Sequence, residues 1–281
     1  MSFIMSILMG FLQGVAEFLP ISSSGHLSLF QNFFGMENFE STQVFFTVLL
    51  HLGTFISVCI VYWRDIIEMI YEFFAGIAAL ASPRRRKGAI PPARRLVWMI
   101  IVATVPLLLV LFVKDAVDAL YSNTLFISCA LIFTGFLLFF SDRLAQGRKN
   151  AKTMRLSDAL LIGCAQAVAT VPGLSRSGTT ISVGMMLGLD RKFAVRFSFL
   201  LSLPAVLGAN VLEISDAVKT VDSQMLPVYI VGTAVAAVVG YFAIRLVNLL
   251  ADKGKFGKFA YYCWAVGILA LIASIVKLVN G

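Results

Sequence analysis

The chain has 281 residues, of which 59% are hydrophobic and 14% charged, with a formal net charge of +8. A mean hydropathy of +0.89 and recurring runs of about 20 apolar residues exclude a soluble domain, which would show amphipathic stripes. Runs without period-2 alternation also exclude a membrane β-barrel. The net charge does not imply nucleic acid as a partner, because Lys and Arg collect in the loops between apolar runs, where topology rules place them.

The first segment, Ser2–Phe34, is apolar but interrupted by a Pro-Ser-Gly run. It lacks the basic start and the A-x-A site of a cleaved signal peptide, and is expected to belong to the mature fold. Full spans are predicted at Val44–Trp63, Leu96–Val113 and Leu125–Phe140. Between the first two, Asp65–Ala81 reads equally as an interfacial helix or a shallow membrane dip. A second interrupted segment, Leu156–Leu189, precedes predicted spans at Phe197–Leu212, Leu226–Leu250 and Phe259–Val276. Cys59, Cys129, Cys164 and Cys263 lie singly in apolar stretches, so neither a disulfide framework nor a metal finger is expected.

The interrupted segments are two copies of one pattern, 153 positions apart. Residues 10–25 read GFLQGVAEFLPISSSG and residues 163–178 read GCAQAVATVPGLSRSG. Gly10 falls on Gly163, Gln13 on Gln166, Ser22 on Ser175, Ser24 on Ser177, Gly25 on Gly178, and further on Gly35 on Gly188. Irregular backbone survives at membrane depth only inside protein or beside a wet cavity, so each copy is expected to form a re-entrant helix–loop–helix hairpin. Basic loops at Arg84–Lys87 with Arg94 and Arg95, at Arg143–Arg155, and at Lys253–Lys258 alternate with loops of little positive charge. Placing the basic loops in the cytoplasm makes the first hairpin open outward and the second inward. The fold class expected is therefore an all-α polytopic membrane protein with about six full spans. It is a single membrane domain, with residues 1–141 and 156–281 as inverted-topology repeats.

The copies differ where chemistry is expected. Glu17 and His26 in the first stand where the second has Thr170 and Thr179, and Arg176 stands where the first has Ser23. Gln13 and Glu17 are four apart and share a helix face. A carboxylate at membrane depth requires a partner, a metal ion or a guanidinium. Ser22, Ser23, Ser24 and Gly25 offer hydroxyls and backbone amides to an anion, and His26 suits a base, an acid or a nucleophile. Read structurally instead, the same loop is an N-capping serine with a satisfied histidine. Ser175, Arg176, Ser177 and Thr180, after Pro172-Gly173, make a plausible phosphate cradle. Its structural alternative is an Arg176–Glu17 ion pair. His51, inside the first span, reads as a packed residue hydrogen-bonded between helices.

The stretches LQGVAEFLPISSSGH and PGLSRSG resemble the two signature motifs of bacterial undecaprenyl-diphosphate phosphatases of the bacitracin-resistance type, and the likeness extends over essentially the whole chain. The resemblance implies hydrolysis of undecaprenyl diphosphate to the monophosphate and inorganic phosphate at the outer face of the cytoplasmic membrane, recycling the lipid carrier of wall synthesis. It implies Glu17, Ser23, His26 and Arg176 as catalytic residues. Gln13, Ser22, Ser24, Ser175, Ser177 and Thr180 would contact the diphosphate. A divalent metal, Mg²⁺ or Ca²⁺, would bind at Glu17, and a second copy of the chain is a candidate partner. Many members carry glutamate at the place of Gln13, and a neutral amide is the weaker ligand for a hard cation. The rival expectation is a flippase of the phosphorylated carrier, alone or combined with the phosphatase, since inverted repeats with paired hairpins also serve alternating access. The attacking group stays open among His26, Ser23 and water.

Overall fold

In the computed structural model, residues 1–34, 44–81, 90–144, 147–219 and 221–280 are described. The loop positions 35–43, 82–89, 145–146 and 220 lie outside them, including Gly35 and the basic run Arg84–Lys87. The described chain is helical, apart from one isolated bridge between Lys149 and Leu189. In order, α1 covers Phe3–Phe18, α2 Ser23–Phe34, α3 Val44–Val61, α4 Trp63–Ala81, and α5 Pro92–Leu108. A 3₁₀ turn at Leu109–Val113 leads to the short α6, Lys114–Ala119. Then follow α7 (Thr124–Leu144), α8 (Leu156–Val168), α9 (Arg176–Met186), α10 (Arg191–Lys219), α11 (Leu226–Asp252) and α12 (Phe259–Asn280).

Six candidate membrane spans stand where the apolar runs predict them, from Val44–Val61 through Phe256–Val279. The interrupted segments form α1–α2 and α8–α9. Both breaks have a local cause. Pro20 and Pro172 each lie in the short turn after the leading helix, where a missing amide hydrogen stops helix propagation. Ser22 (φ 68°) and Gly173 (φ 92°) then turn the chain back through the left-handed region. At 1.5 Å per residue, the 16 and 13 residues of α1 and α8 rise about 24 and 20 Å, short of a hydrocarbon core of about 30 Å. The undecided stretch after the first span is a continuous 19-residue helix, α4. It leaves Ile67, Ile70, Tyr71 and Phe74 exposed and is tied down by Asp65–Arg196 (2.5 Å) and Glu72–Arg94 (2.9 Å).

Packing sets the two hairpins into the bundle by close approach of small residues. Helix α1 lies on α11, where Gly10 backs onto Gly232 and Gly14 onto Ala236 and Gly240. Helix α8 lies on α5, where Gly163 backs onto the backbone of Ala103. Helix α3 packs on α10 and α11, and α7 packs on α12. Beneath the hairpin tips, Phe18, Phe199, Leu96, Ile162, Ile181 and Met185 form part of the largest buried apolar cluster, with Phe18 set edge-on to Phe199. Many remaining large apolar side chains face outward, as a bilayer requires. Polar anchors gather at one end of the bundle: Arg191–Asp142 (3.2 Å), Lys192–Asp252 (3.0 Å), Lys149–Asp158 (3.0 Å) and Arg95 on the Ala151 and Met154 carbonyls.

Candidate active site

The hairpin tips meet in the protein interior. A Cβ on Gly25 would stand 2.8 Å from the Gly173 Cα, and one on Gly178 would stand 3.1 Å from the Pro20 Cβ, so the loops interlock at a separation that only glycine allows. Ser177 donates from its hydroxyl to the Leu19 carbonyl across the same junction (3.4 Å). The two halves are capped alike. Ser22 Oγ accepts from the Gly25 amide (3.2 Å), and Ser175 Oγ from the Gly178 amide (3.1 Å). These are N-caps on the third amide of α2 and α9. The first two amides of each helix, at Ser23 and Ser24 and at Arg176 and Ser177, have no intrahelical acceptor. Two positive helix ends therefore converge on one spot, an arrangement suited to an anion.

At that spot lies a cavity of about 60 Å³ lined by Ala16, Glu17, Ser22, Ser23, Ser24, Ala169, Leu174, Ser175 and Arg176. Glu17, on the last turn of α1, is 8% exposed, and its Oε1 accepts from Arg176 Nη2 of the other hairpin. Its Oε2 accepts from Gln13 Nε2 (3.1 Å), and the Ser23 hydroxyl faces the same carboxylate. A second, larger cavity of about 480 Å³ shares Ser23 and Ser24 with the first. It is also lined by Gln13, His51 and Thr47, and by Asp118, Tyr121 and Glu213.

Of the residues singled out from the sequence, Glu17, Ser22, Ser23, Ser24, Ser175 and Arg176 share the small cavity, and Gln13 lies next to it. Ser22 and Ser175 spend their hydroxyls on caps. Thr180 is 2% exposed, and its Oγ1 bonds the Arg176 carbonyl (2.8 Å) and Ser198 Oγ (2.6 Å), which braces the first turn of α9 from behind. His26 stands apart and lines neither cavity. Its Nδ1 donates to the Ser22 carbonyl (2.8 Å), leaving Nε2 to accept from the Tyr262 phenol hydroxyl (3.0 Å), and the two rings stack at 5.6 Å. His51, expected as a packed residue hydrogen-bonded between helices, does bond across helices. Its partner is Gln13 (3.2 Å), with Glu17 Oε2 at 3.9 Å, so it belongs to the site. The available signal was that it is one of only two histidines in the chain.

No group of three His, Cys, Asp or Glu side chains able to hold a metal occurs among the described residues. The site offers a single carboxylate with serine hydroxyls around it. That donor set does not make a protein cage for a cation. It fits an Mg²⁺-like ion held by one carboxylate, water and the oxygens of a bound phosphate.

Fold and site together define a polytopic helical membrane protein with a buried, anion-adapted polar centre built from two related hairpins. The family described as bacitracin resistance protein BacA matches residues 6–269, and the chain belongs to it. The protein named undecaprenyl-diphosphatase from Methanobrevibacter smithii is 40% identical over 281 residues, covering 99% of this chain and 100% of that one. The one so named from Halothermothrix orenii is 41% identical, covering 95% and 96%, and that from Methanosphaera stadtmanae is 38% identical, covering 96% and 98%.

Proposed function

We propose that this protein is an integral membrane phosphatase that hydrolyses undecaprenyl diphosphate, or a close polyprenyl diphosphate, to the monophosphate and inorganic phosphate. The observation that carries this reading is the meeting of Glu17, Ser23 and Arg176 between two helix N-termini, in a chain whose family relatives are named for that activity. The isoprenoid tail lies along the apolar bundle, and the diphosphate enters through the larger cavity. Arg176 and the free amides of α2 and α9 bind phosphate oxygens and hold the charge that develops in phosphoryl transfer. As phosphate takes the guanidinium, the Glu17 oxygen that faced Arg176 is released from its ion pair and is free to accept a proton. Ser23 Oγ attacks the terminal phosphorus while its proton passes to Glu17, and the bond to the bridging oxygen breaks, releasing the lipid monophosphate. Water then cleaves the phosphoserine to serine and inorganic phosphate. Glu17 and phosphate oxygens would hold an Mg²⁺ or Ca²⁺ ion, which when bound supplies charge neutralisation on those oxygens.

His26 positions the loop in this scheme. Its bonds to Ser22 and Tyr262 support that role over nucleophilic attack. The paired hairpins and the matching Gly10 and Gly163 crossings support an inverted repeat of residues 1–141 and 156–281. The larger cavity is bordered by Asp118 and Glu213, while the basic anchors gather around the starts of α8, α10 and α12. By the positive-inside rule, that supports a site facing the outer side of a cytoplasmic membrane, where wall-carrier recycling takes place. A second copy of the chain remains a candidate partner. The test is rapid quenching with a radiolabelled terminal phosphate. Label on Ser23, lost in Ser23→Ala with turnover, is expected, and label on His26 overturns the assignment.

A further inference from the structure

We propose that His51 and Gln13 act as a positioning pair for Glu17, a role that rests on the phosphatase reading above. Gln13 Nε2 carries two hydrogens and has two acceptors in reach, Glu17 Oε2 at 3.1 Å and His51 Nδ1 at 3.2 Å. The Gln13 amide nitrogen can only donate, so in this contact the His51 Nδ1 is the acceptor. His51 Nδ1 itself is 3.9 Å from Glu17 Oε2, beyond a direct hydrogen bond, so the imidazole acts on the carboxylate through the amide.

The mount is rigid. His51 projects from α3 two residues before Gly53, whose Cα is pressed so closely on α11 that an added Cβ would meet the Thr233 carbonyl oxygen at 2.5 Å. Gln13, by contrast, shares only its own helix with Glu17, and a glutamine side chain has three rotatable bonds. Without His51 the amide is anchored at one hydrogen and can swing away from the carboxylate.

The pair matters most once substrate is bound. Arg176 holds Glu17 from the opposite hairpin. When phosphate oxygens take the guanidinium, that restraint is withdrawn. Gln13 and the Ser23 hydroxyl are then the neighbours that keep the carboxylate aimed at the reacting atoms. The relay also explains why an amide suits position 13 in this chain. A carboxylate there would donate nothing and would face Glu17 as a like charge across the same 3.1 Å.

The test is steady-state phosphate release from a polyprenyl diphosphate by purified wild type and variants in detergent, each checked for monodispersity. His51→Leu is expected to lower kcat by roughly 10- to 100-fold with KM changed less than about threefold, the signature of a group that acts after binding. His51→Asn, whose Oδ1 is attached at Cγ as the imidazole Nδ1 is and can accept from Gln13, is expected to recover kcat to within about threefold of wild type. His51→Phe keeps a planar ring but offers no acceptor and should match leucine, giving the same reading should the leucine variant not purify. Gln13→Ala/His51→Leu should be no worse than Gln13→Ala alone, because the two side chains form one path. An active wild type whose His51→Leu and His51→Phe variants turn over normally overturns the positioning role, as does an asparagine variant as poor as leucine, or losses that multiply in the double variant. A wild type that releases no phosphate refutes the phosphatase reading instead.

Discussion

Replacing Glu17 by glutamine separates the two roles that its ion pair with Arg176 combines. The carboxylate is 8% exposed and the guanidinium 24%, and they join hairpins that come from opposite halves of the chain. Removing one member of a fully buried pair costs about 3–5 kcal/mol, because the survivor is left charged and uncompensated. With a quarter of Arg176 open to water, about 2–3 kcal/mol is the reasonable figure here, between the buried and surface limits. Glutamine keeps the shape and can still accept from Gln13, but its amide donors then face the guanidinium donors. Glu17→Gln should therefore lower the thermal midpoint in detergent by about 5 °C and reduce kcat at least about 100-fold. Removing both charges in Glu17→Gln/Arg176→Gln should return most of the lost stability, since no orphan charge remains. Phosphate release should stay abolished, because the proton acceptor and the phosphate clamp are both gone. Thermal unfolding followed by tryptophan fluorescence, together with phosphate release, reads both effects. Recovery of turnover in the double variant would show the pair to be structural only and would refute the catalytic assignment of both residues.

Gly25→Ala should be far more damaging than an ordinary exposed substitution, because its Cβ would meet Gly173 backbone atoms at 2.8 and 3.0 Å; the hairpin tips must part, and loss of activity with a stability loss of about 2 kcal/mol is expected, checked by the same two assays. Topology is testable with an impermeant thiol reagent on intact cells, in a background lacking the four native cysteines. Ser122→Cys and Ser223→Cys should react from outside and Thr153→Cys and Lys255→Cys should not; equal labelling of both sets would contradict the inverted arrangement.

The spans and breaks were legible because each has a local cause. Runs of apolar residues set the six long helices, and Pro20 and Pro172-Gly173 mark the hairpin turns, two and four residues beyond the ends of α1 and α8 at Phe18 and Val168. Helix ends were less legible. Helix α10 begins at Arg191, well before the apolar run at Phe197, because charged residues at a bundle end extend a helix without adding hydropathy. The placement of Glu17 against Arg176 was legible as an alternative, since an intramembrane carboxylate and guanidinium need each other. The repeated serines were read for their hydroxyls, and two of them serve as caps; Ser22 and Ser175 fall in register because both copies start a helix there. His51 and Tyr262 were hidden for a different reason. His51 sits on the span that follows the first hairpin and Tyr262 on the last span, and only packing brings them to Gln13 and His26.

The central claim is that the junction of the hairpins breaks a phosphoanhydride, and it is tested most directly by inorganic phosphate release from purified protein and a polyprenyl diphosphate in detergent, where no membrane separates two sides. Release by wild type, abolished in Arg176→Gln while that protein remains monodisperse, is the result expected. A well-folded wild type that binds the lipid diphosphate but releases no phosphate would contradict the account and favour a carrier of the phosphorylated lipid.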